Sequence, residues 1–260
     1  MTLCALSLCV LQLISSWASG TTIYDYANVS GTNVNYTYIS EEPTRSTLPG
    51  PAGPLPKFGQ PIGGDSLLFP LQTFYTKSVG LASDTCDSNL KMTISSTGNS
   101  LGIDKVTLNE SGDYELLRLI STSDDPLAKV TAHGHLTVMK VNGQTEINGN
   151  SVIFDIYRNF DQEFHLSGSD VITPDWDGLL NFDVDQALQE QSYYQPGFHV
   201  TEAVFSLDNI LNSMSEANSQ SKIIKKTAYL TTTTIEVPEP STLVMLFMGV
   251  LGLGIWWRKR

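Results

Sequence analysis

His133 and His135 stand two residues apart in the stretch Lys129–Val141. On an extended chain such residues point the same way, so the pair can present two imidazole nitrogens to zinc or copper. The sequence names no third ligand beside them, and His165 and His199 are isolated. The plainer reading is two exposed histidines on a polar face shared with Thr131 and Thr137. A second set is acidic. Asp175-Trp176-Asp177-Gly178 places two carboxylates at a turn, and Asp183-Val184-Asp185 places two more on a common face. Calcium takes clustered oxygen ligands of this kind, so Asp175, Asp177, Asp183 and Asp185 form the candidate metal site. No full Asp-x-Asp-x-Asp-Gly loop closed by a distal Glu is spelled, and solvated loop acids account for the same residues.

Cys86 lies in Asp84-Thr85-Cys86-Asp87, where acidic neighbours raise a thiol pKa and argue against a nucleophile. Cys4 and Cys9 sit near the N-terminus, and no Cys-x-x-Cys metal motif is present. His-Glu-x-x-His and phosphate-cradling glycine motifs are also missing. No catalytic residue is therefore assigned, and the expectation is a non-enzymatic protein with no cofactor, calcium aside. Two alternatives stay open. Trp176 with Tyr193-Tyr194, exposed on one face, would make a sugar-stacking platform and a carbohydrate-binding module. A pair of carboxylates distant in sequence would make a secreted glycoside hydrolase.

Such residues need elements to hold them. A chain of 260 residues can bury a core in one domain, or two at most. Hydrophobic residues make up 41% and charged ones 16%, so polarity comes largely from Thr, Ser and Asn, as in extracellular β proteins. The formal charge of -12 repels a duplex and excludes nucleic acid as a partner.

Residues 21–65 read as a Pro/Gly-rich lead-in and linker, with Asn33–Ser40 alternating enough for an edge strand. Over 66–236, strand patterns recur between turn signals: Ser66–Thr76, Leu90–Ser96, Gly102–Leu108, Asp113–Ile120, Lys129–Val141, Ser151–Phe160, Gly178–Asp183, Phe198–Leu207 and Lys222–Val237. Val130, Ala132, Gly134, Leu136 and Val138 share one face of the clearest strand, and Asn142-Gly143 supplies a tight turn after it. Asp185–Gln191 reads as a short helix and Asp208–Ala217 as another turn or two of helix. The pattern predicts an all-β domain, an antiparallel β-sandwich or jelly roll.

Both ends are apolar. Residues 1–20 run from an apolar stretch, Leu3 to Ile14, into small residues suited to signal peptidase, and predict export. At the other end, Leu243–Trp257 is an unbroken run of apolar residues and glycines. As a helix it reaches roughly 22 Å, short of a ~30 Å hydrocarbon core unless its flanks contribute. Trp256 and Trp257 suit the interface, and Arg258, Lys259 and Arg260 anchor the cytoplasmic side. A single transmembrane helix is expected, with the body outside.

Val237-Pro238-Glu239-Pro240-Ser241-Thr242, then the apolar run, then the basic tip, resembles the PEP-CTERM sorting signal of exported proteins in exopolysaccharide-producing Gram-negative bacteria. The resemblance covers residues 237–260 and makes Pro238, Glu239 and Pro240 the sorting motif. It implies recognition by an exosortase, transient anchoring in the inner membrane with the body in the periplasm, and delivery to the cell surface or extracellular matrix. Four further fragments look like extracellular domains that precede this tail: Gly64-Asp65-Ser66-Leu67, Gly112-Asp113-Tyr114, Gly134-His135-Leu136-Thr137-Val138 and Leu207-Asp208-Asn209. The resulting expectation is an envelope or matrix protein, with exopolysaccharide as its further partner.

Overall fold

The computed structural model describes residues 22–46, 55–71, 74–98, 100–119, 125–166 and 170–237. Strands β1 (Tyr24–Asp25), β2 (Val29–Ser30), β3 (Val34–Ser46), β4 (Ile62–Gly63), β5 (Ser66–Phe69) and β6 (Tyr75–Val79) lead in. The long strands β7 (Ala82–Ser96), β8 (Leu101–Arg118) and β9 (Leu127–Val141) follow. A small hairpin, β10 (Glu146–Ile147) and β11 (Asn150–Ser151), precedes β12 (Phe154–His165), β13 (Val171–Ile172) and β14 (Asp175–Asp183). Helix α1 (Val184–Gln189), β15 (Val200–Ser215) and β16 (Ser219–Glu236) complete the order.

All pairings are antiparallel, and the 14-stranded sheet curls over on itself into two layers. One layer runs β12-β9-β15-β7-β3, with β1 and β2 on the outer edge of β3. The other runs β14-β8-β16-β5-β4, with β13 also on β8 and β6 also on β16. A single residue pair, Val200 with Ile103, joins β15 to β8 and carries the ladder from one layer into the other. The architecture is the sandwich that the alternating pattern predicts.

Alternation explains what fills it. Along β9 the inward residues are Ala128, Val130, Ala132, Gly134, Leu136 and Val138, all fully buried or nearly so. They face Phe182 and Leu180 of β14, and Phe182 meets Phe205 of β15 edge to face at 5.8 Å. Gly134 is needed for this approach: a Cβ there would stand 2.5 Å from Phe182 Cζ. Replacing Gly134 by Val should therefore cost about 1–3 kcal/mol through overpacking. Urea denaturation should show a lower midpoint at an unchanged slope. The Asn-Gly dipeptides turn as their chemistry requires. Asn142 and Gly143 take φ of 50° and 75°, and Asn148 and Gly149 take 53° and 77°, so both make two-residue hairpins of the I′ type.

Four expectations change. Asp208–Ala217 is not helical, because β15 continues to Ser215. Its apolar spacing (Leu207, Ile210, Leu211, Met214) imitates a helix, but the buried face is Leu207, Asn209, Leu211, Ser213 and Ser215. Gly102–Leu108 and Asp113–Ile120 are parts of one strand, β8. Asn109-Glu110-Ser111-Gly112 stays extended because Glu110 finds polar partners in the core and Gly112 makes room for the Trp176 ring. Ser66–Thr76 is two strands, broken after Phe69 where Pro70 removes a ladder donor. Finally, the strand expected over Asn33–Ser40 is present but runs on as β3 to Ser46 along β7, and Phe58, in the stretch read as a linker, is buried in the same core as Val34, Tyr36 and Ile39.

Candidate functional site

The outward face of the first layer carries the polar residues that alternate with its core. Strand register places them in rows. His135 lies between Tyr157 of β12 and Ser206 of β15, and Ser206 pairs with Lys91 of β7. The next row is Asn159, His133, Asp208 and Asn89. On the other side Thr137 stands between Asp155 and Val204.

The middle of this face is tightly arranged. The His135 ring stacks on the Tyr157 ring at 4.4 Å and 9°. Its Nε2 lies 2.8 Å from Asp155 Oδ1, and Thr137 Oγ1 donates to the same oxygen at 2.8 Å. Hydrogen bonds from Thr137 and then His135 hold the Asp155 carboxyl below the usual carboxylate range. Asp208 is shifted the other way, first by burial and then by Asp87, with His133 opposing. Tyr157 keeps 65% of its surface exposed, which is unusual for a ring already stacked on one side. A groove of about 370 Å³ opens here, lined by His133, His135, Tyr157, Asn159, Ser206 and Asp208 among others. A second groove, about 320 Å³, continues it past Thr137 and Val204 to Asn89 and Lys91. Together they cross four strands. Such a surface offers an aromatic plane beside hydroxyl, amide, imidazole and carboxylate groups, the chemistry that holds a polyhydroxylated ligand.

His133 and His135 thus lie on the polar face, as read, but His135 spends its nitrogen on Asp155. The candidate calcium ligands do not converge. Asp175 and Asp177 point outward near one end of β14, while Asp183 ends the strand and caps α1, accepting from Gln186 N at 3.1 Å. Asp183 also faces Lys105 at 3.9 Å, and Asp185 accepts from Gln189. Asp183 lies six residue steps along the strand from Asp177, a span of roughly 20 Å, too far for one ion. Among the described residues no three His, Cys, Asp or Glu side chains are grouped to hold a metal ion. The sugar platform read from Trp176 and Tyr193-Tyr194 is also corrected. Trp176 is buried and its indole N–H donates to Ile224 O at 3.2 Å, while Tyr193 is half-buried and donates to Val152 O at 2.9 Å. Cys86 is a free, buried thiol pushed up to about 11, mainly by burial, with Lys57 opposing.

Sequence reasoning missed Asp155, Tyr157, Asn159, Ser206 and Asp208 as members of one surface. The alternation of Ser151–Phe160 already put the first three opposite Ile156 and Phe160; only the neighbourhood of β12, β9 and β15 was missing.

The sorting residues Pro238, Glu239, Pro240, Arg258, Lys259 and Arg260, and the apolar runs at both ends, lie outside the described residues. Among the described residues no helix is long and apolar enough to cross a membrane. Strand β16 ends at Glu236 and Val237 N donates to Ser100 O at 2.8 Å, so the last described residue is still tied to the sandwich.

By fold and surface this is an antiparallel β-sandwich with a polar, ring-bearing outer face. Its tail gives the more particular assignment: residues 236–260 match the family model of the PEP-CTERM protein-sorting motif, so the chain carries that motif at its C-terminal end. The motif makes it an exported, membrane-transiting protein with an exosortase as its processing partner. A search of curated proteins found no match, and neither did a search of solved structures.

Proposed function

We propose that this chain is a non-catalytic component of the cell envelope or extracellular matrix, and that the outer face of β12, β9, β15 and β7 is its contact with exopolysaccharide. Delivery rests on the tail. In this reading the apolar run holds the chain briefly in the inner membrane, the cationic tip stays cytoplasmic and the sandwich lies in the periplasm. The observation that supports the glycan contact is the exposed Tyr157 ring, backed by His135 and bordered by Asp155, Asn159 and Asp208 in an open groove. Backing by His135 fixes the ring, so stacking a sugar on its free side orders little that is not already ordered. The acids of this layer's outer face (Asp87, Asp155, Asp161, Glu163, Glu202, Asp208) outnumber its lysines (Lys91, Lys129, Lys140) and Arg158 at the groove's margin, which favours a neutral glycan over a polyanionic one.

The test is titration of the matrix polysaccharide against Tyr157→Ala and Tyr157→Phe. Loss of a stacking ring should weaken binding about tenfold or more, and Phe should retain it. Because the ring is exposed, both variants should melt with the parent. Unchanged affinity in Tyr157→Ala would remove this face from the proposal.

A further inference from the structure

Lys225 projects from the middle of β16 into the space between the two layers, on the same face as Ile223 and Ala228. The register of β16 slips between Lys225 and Thr227, a bulge that leaves Lys226 outside and Lys225 within. Three groups meet its ammonium nitrogen. Asn209, on β15 of the opposite layer, accepts a hydrogen bond from Nζ through Oδ1. Glu110, on β8, brings Oε2 to 2.6 Å from Nζ and accepts from Asn209 Nδ2 through Oε1 at 2.6 Å. The Phe74 ring stands over Nζ at 4.8 Å. The side chains of Lys225 and Glu110 have no solvent exposure, and Asn209 is equally buried. Glu110 Oε2 has no aligned hydrogen-bond donor of its own, so its approach to Nζ is a bare ion contact. An ion pair this deep gains from attraction little more than it loses in desolvation, and it sits where apolar residues would pack well.

We propose that Lys225 and Asn209 join in an intramolecular isopeptide bond, made by the folded chain itself, with Glu110 as the proton shuttle and ammonia as the leaving group. Burial is the first cause that lowers the Lys225 pKa, to about 8, which favours the neutral nucleophilic amine. A proton passing from the ammonium to Glu110 removes both buried charges at once. The Nζ lone pair then adds to Asn209 Cγ, which lies one C=O bond, about 1.2 Å, beyond the oxygen that Nζ already touches. The carbonyl electron pair moves onto Oδ1. Glu110 gives the proton it holds to Nδ2 and, a carboxylate again, takes the surplus proton from Nζ; its two oxygens face these two nitrogens. The Cγ–Nδ2 bond breaks with its electrons on nitrogen, the carbonyl reforms, and ammonia departs. One amine and one primary amide become one secondary amide and ammonia, Glu110 ends as the acid it was, and no oxidant or cofactor is consumed. The closed core holds the partners in place and keeps water from the tetrahedral intermediate. The product ties β15 of one layer to β16 of the other, 16 residues apart in sequence.

Peptide mass spectrometry of the purified full-length chain tests this. Trypsin has no site between Arg158 and Lys222, so residues 159–222 carry Asn209, and residues 223–226 carry Lys225. The expected result is one branched species joining the two, lighter than their sum by one ammonia, about 17 Da. Asn209→Ala and Lys225→Met should each abolish it. Recovery of wild-type 159–222 as a free peptide of unaltered mass would overturn the bond, whatever the variants do. Glu110→Gln, folded by circular dichroism, should be unlinked; Glu110→Met, which leaves no polar atom unpaired, serves the same purpose if the glutamine variant does not fold. Full linkage in either would overturn the part assigned to Glu110. These outcomes are independent of glycan binding, since Tyr157→Ala should remain fully linked.

Discussion

Glu239→Ala is expected to leave the full-length chain in the inner-membrane fraction, with no shorter product released. The effect should be close to all-or-none because the motif is small and each part has a separate task. Two prolines, Pro238 and Pro240, fix their own φ and bias the residues before them to extended backbone, so Glu239 is offered on a stretch unsuited to helix. After Glu236, which opens the match, it is the one acid ahead of an apolar run and three cations. Removing it leaves the length and hydropathy of the apolar run and its basic tip unchanged, so insertion and orientation should persist while recognition fails. Fractionation followed by immunoblotting separates the outcomes. Normal processing of the variant would count against recognition through Glu239, whereas loss of the chain from every fraction would show that it fails to insert. Glu239→Gln sharpens the reading, since it removes the charge and keeps the shape.

The sequence carried the sandwich better than it carried the surface. The alternation of β9 and β12 was legible because their inward residues are apolar, so a period of two stands out. In the second half of β15 and the middle of β8 it was not. Asn209, Ser213 and Ser215 face inward on β15, and Glu110 faces inward on β8, so the buried face reads as polar and the strand reads as helix or turn. Two of them, Asn209 and Glu110, form the Lys225 cluster. What made the strands hard to see is what makes the core chemically interesting: a polar residue on an inward face survives only if its partners arrive from other strands, and no local pattern reports that. The fragments that look like extracellular domains point the same way. Asp65 receives Asn33 N at 2.8 Å and Val34 N at 3.2 Å, and Asn209 bonds Glu110, so their polar members hold the fold. The aspartates from 175 to 185 looked like a cluster in sequence because strand length was not applied to their spacing. Asp175, Asp177 and Asp183 are strung out along β14, and Asp185 lies in the first turn of α1.

Glu41→Ala should be the most damaging single substitution outside the Lys225 cluster, lowering stability by about 4 kcal/mol. Glu41 is fully buried on β3 and collects four donors: Tyr26 OH at 2.5 Å, Ser88 Oγ at 2.5 Å, Lys57 N at 2.6 Å and Phe58 N at 3.2 Å. This carboxylate is what ties residues 55–60, which have no strand of their own, into the core beneath Phe58. Phe58 in turn packs edge to face on Phe69 at 5.7 Å and Phe74 at 5.5 Å, so one acid fixes an aromatic cluster that reaches Lys225 through Phe74. Burial, and then the bond to Glu41, raises the Tyr26 pKa well above its ordinary value, so at neutral pH its hydroxyl stays protonated and donates. Alanine leaves three buried donors (Ser88 Oγ, Lys57 N and Phe58 N) facing a cavity, each costing about 1–3 kcal/mol if unpaired, while Tyr26 keeps Phe58 O and water entering the space recovers part of the loss. Thermal denaturation followed by near-ultraviolet circular dichroism should show a melting temperature lower by about 8–16 °C. Glu41→Gln keeps the volume but exchanges one acceptor oxygen for a donor that points at other donors, so its loss should fall between the parent and alanine. A glutamine variant that melts with the parent would mean that the acid's charge and both its oxygens are dispensable, and that Phe58 alone holds the segment down.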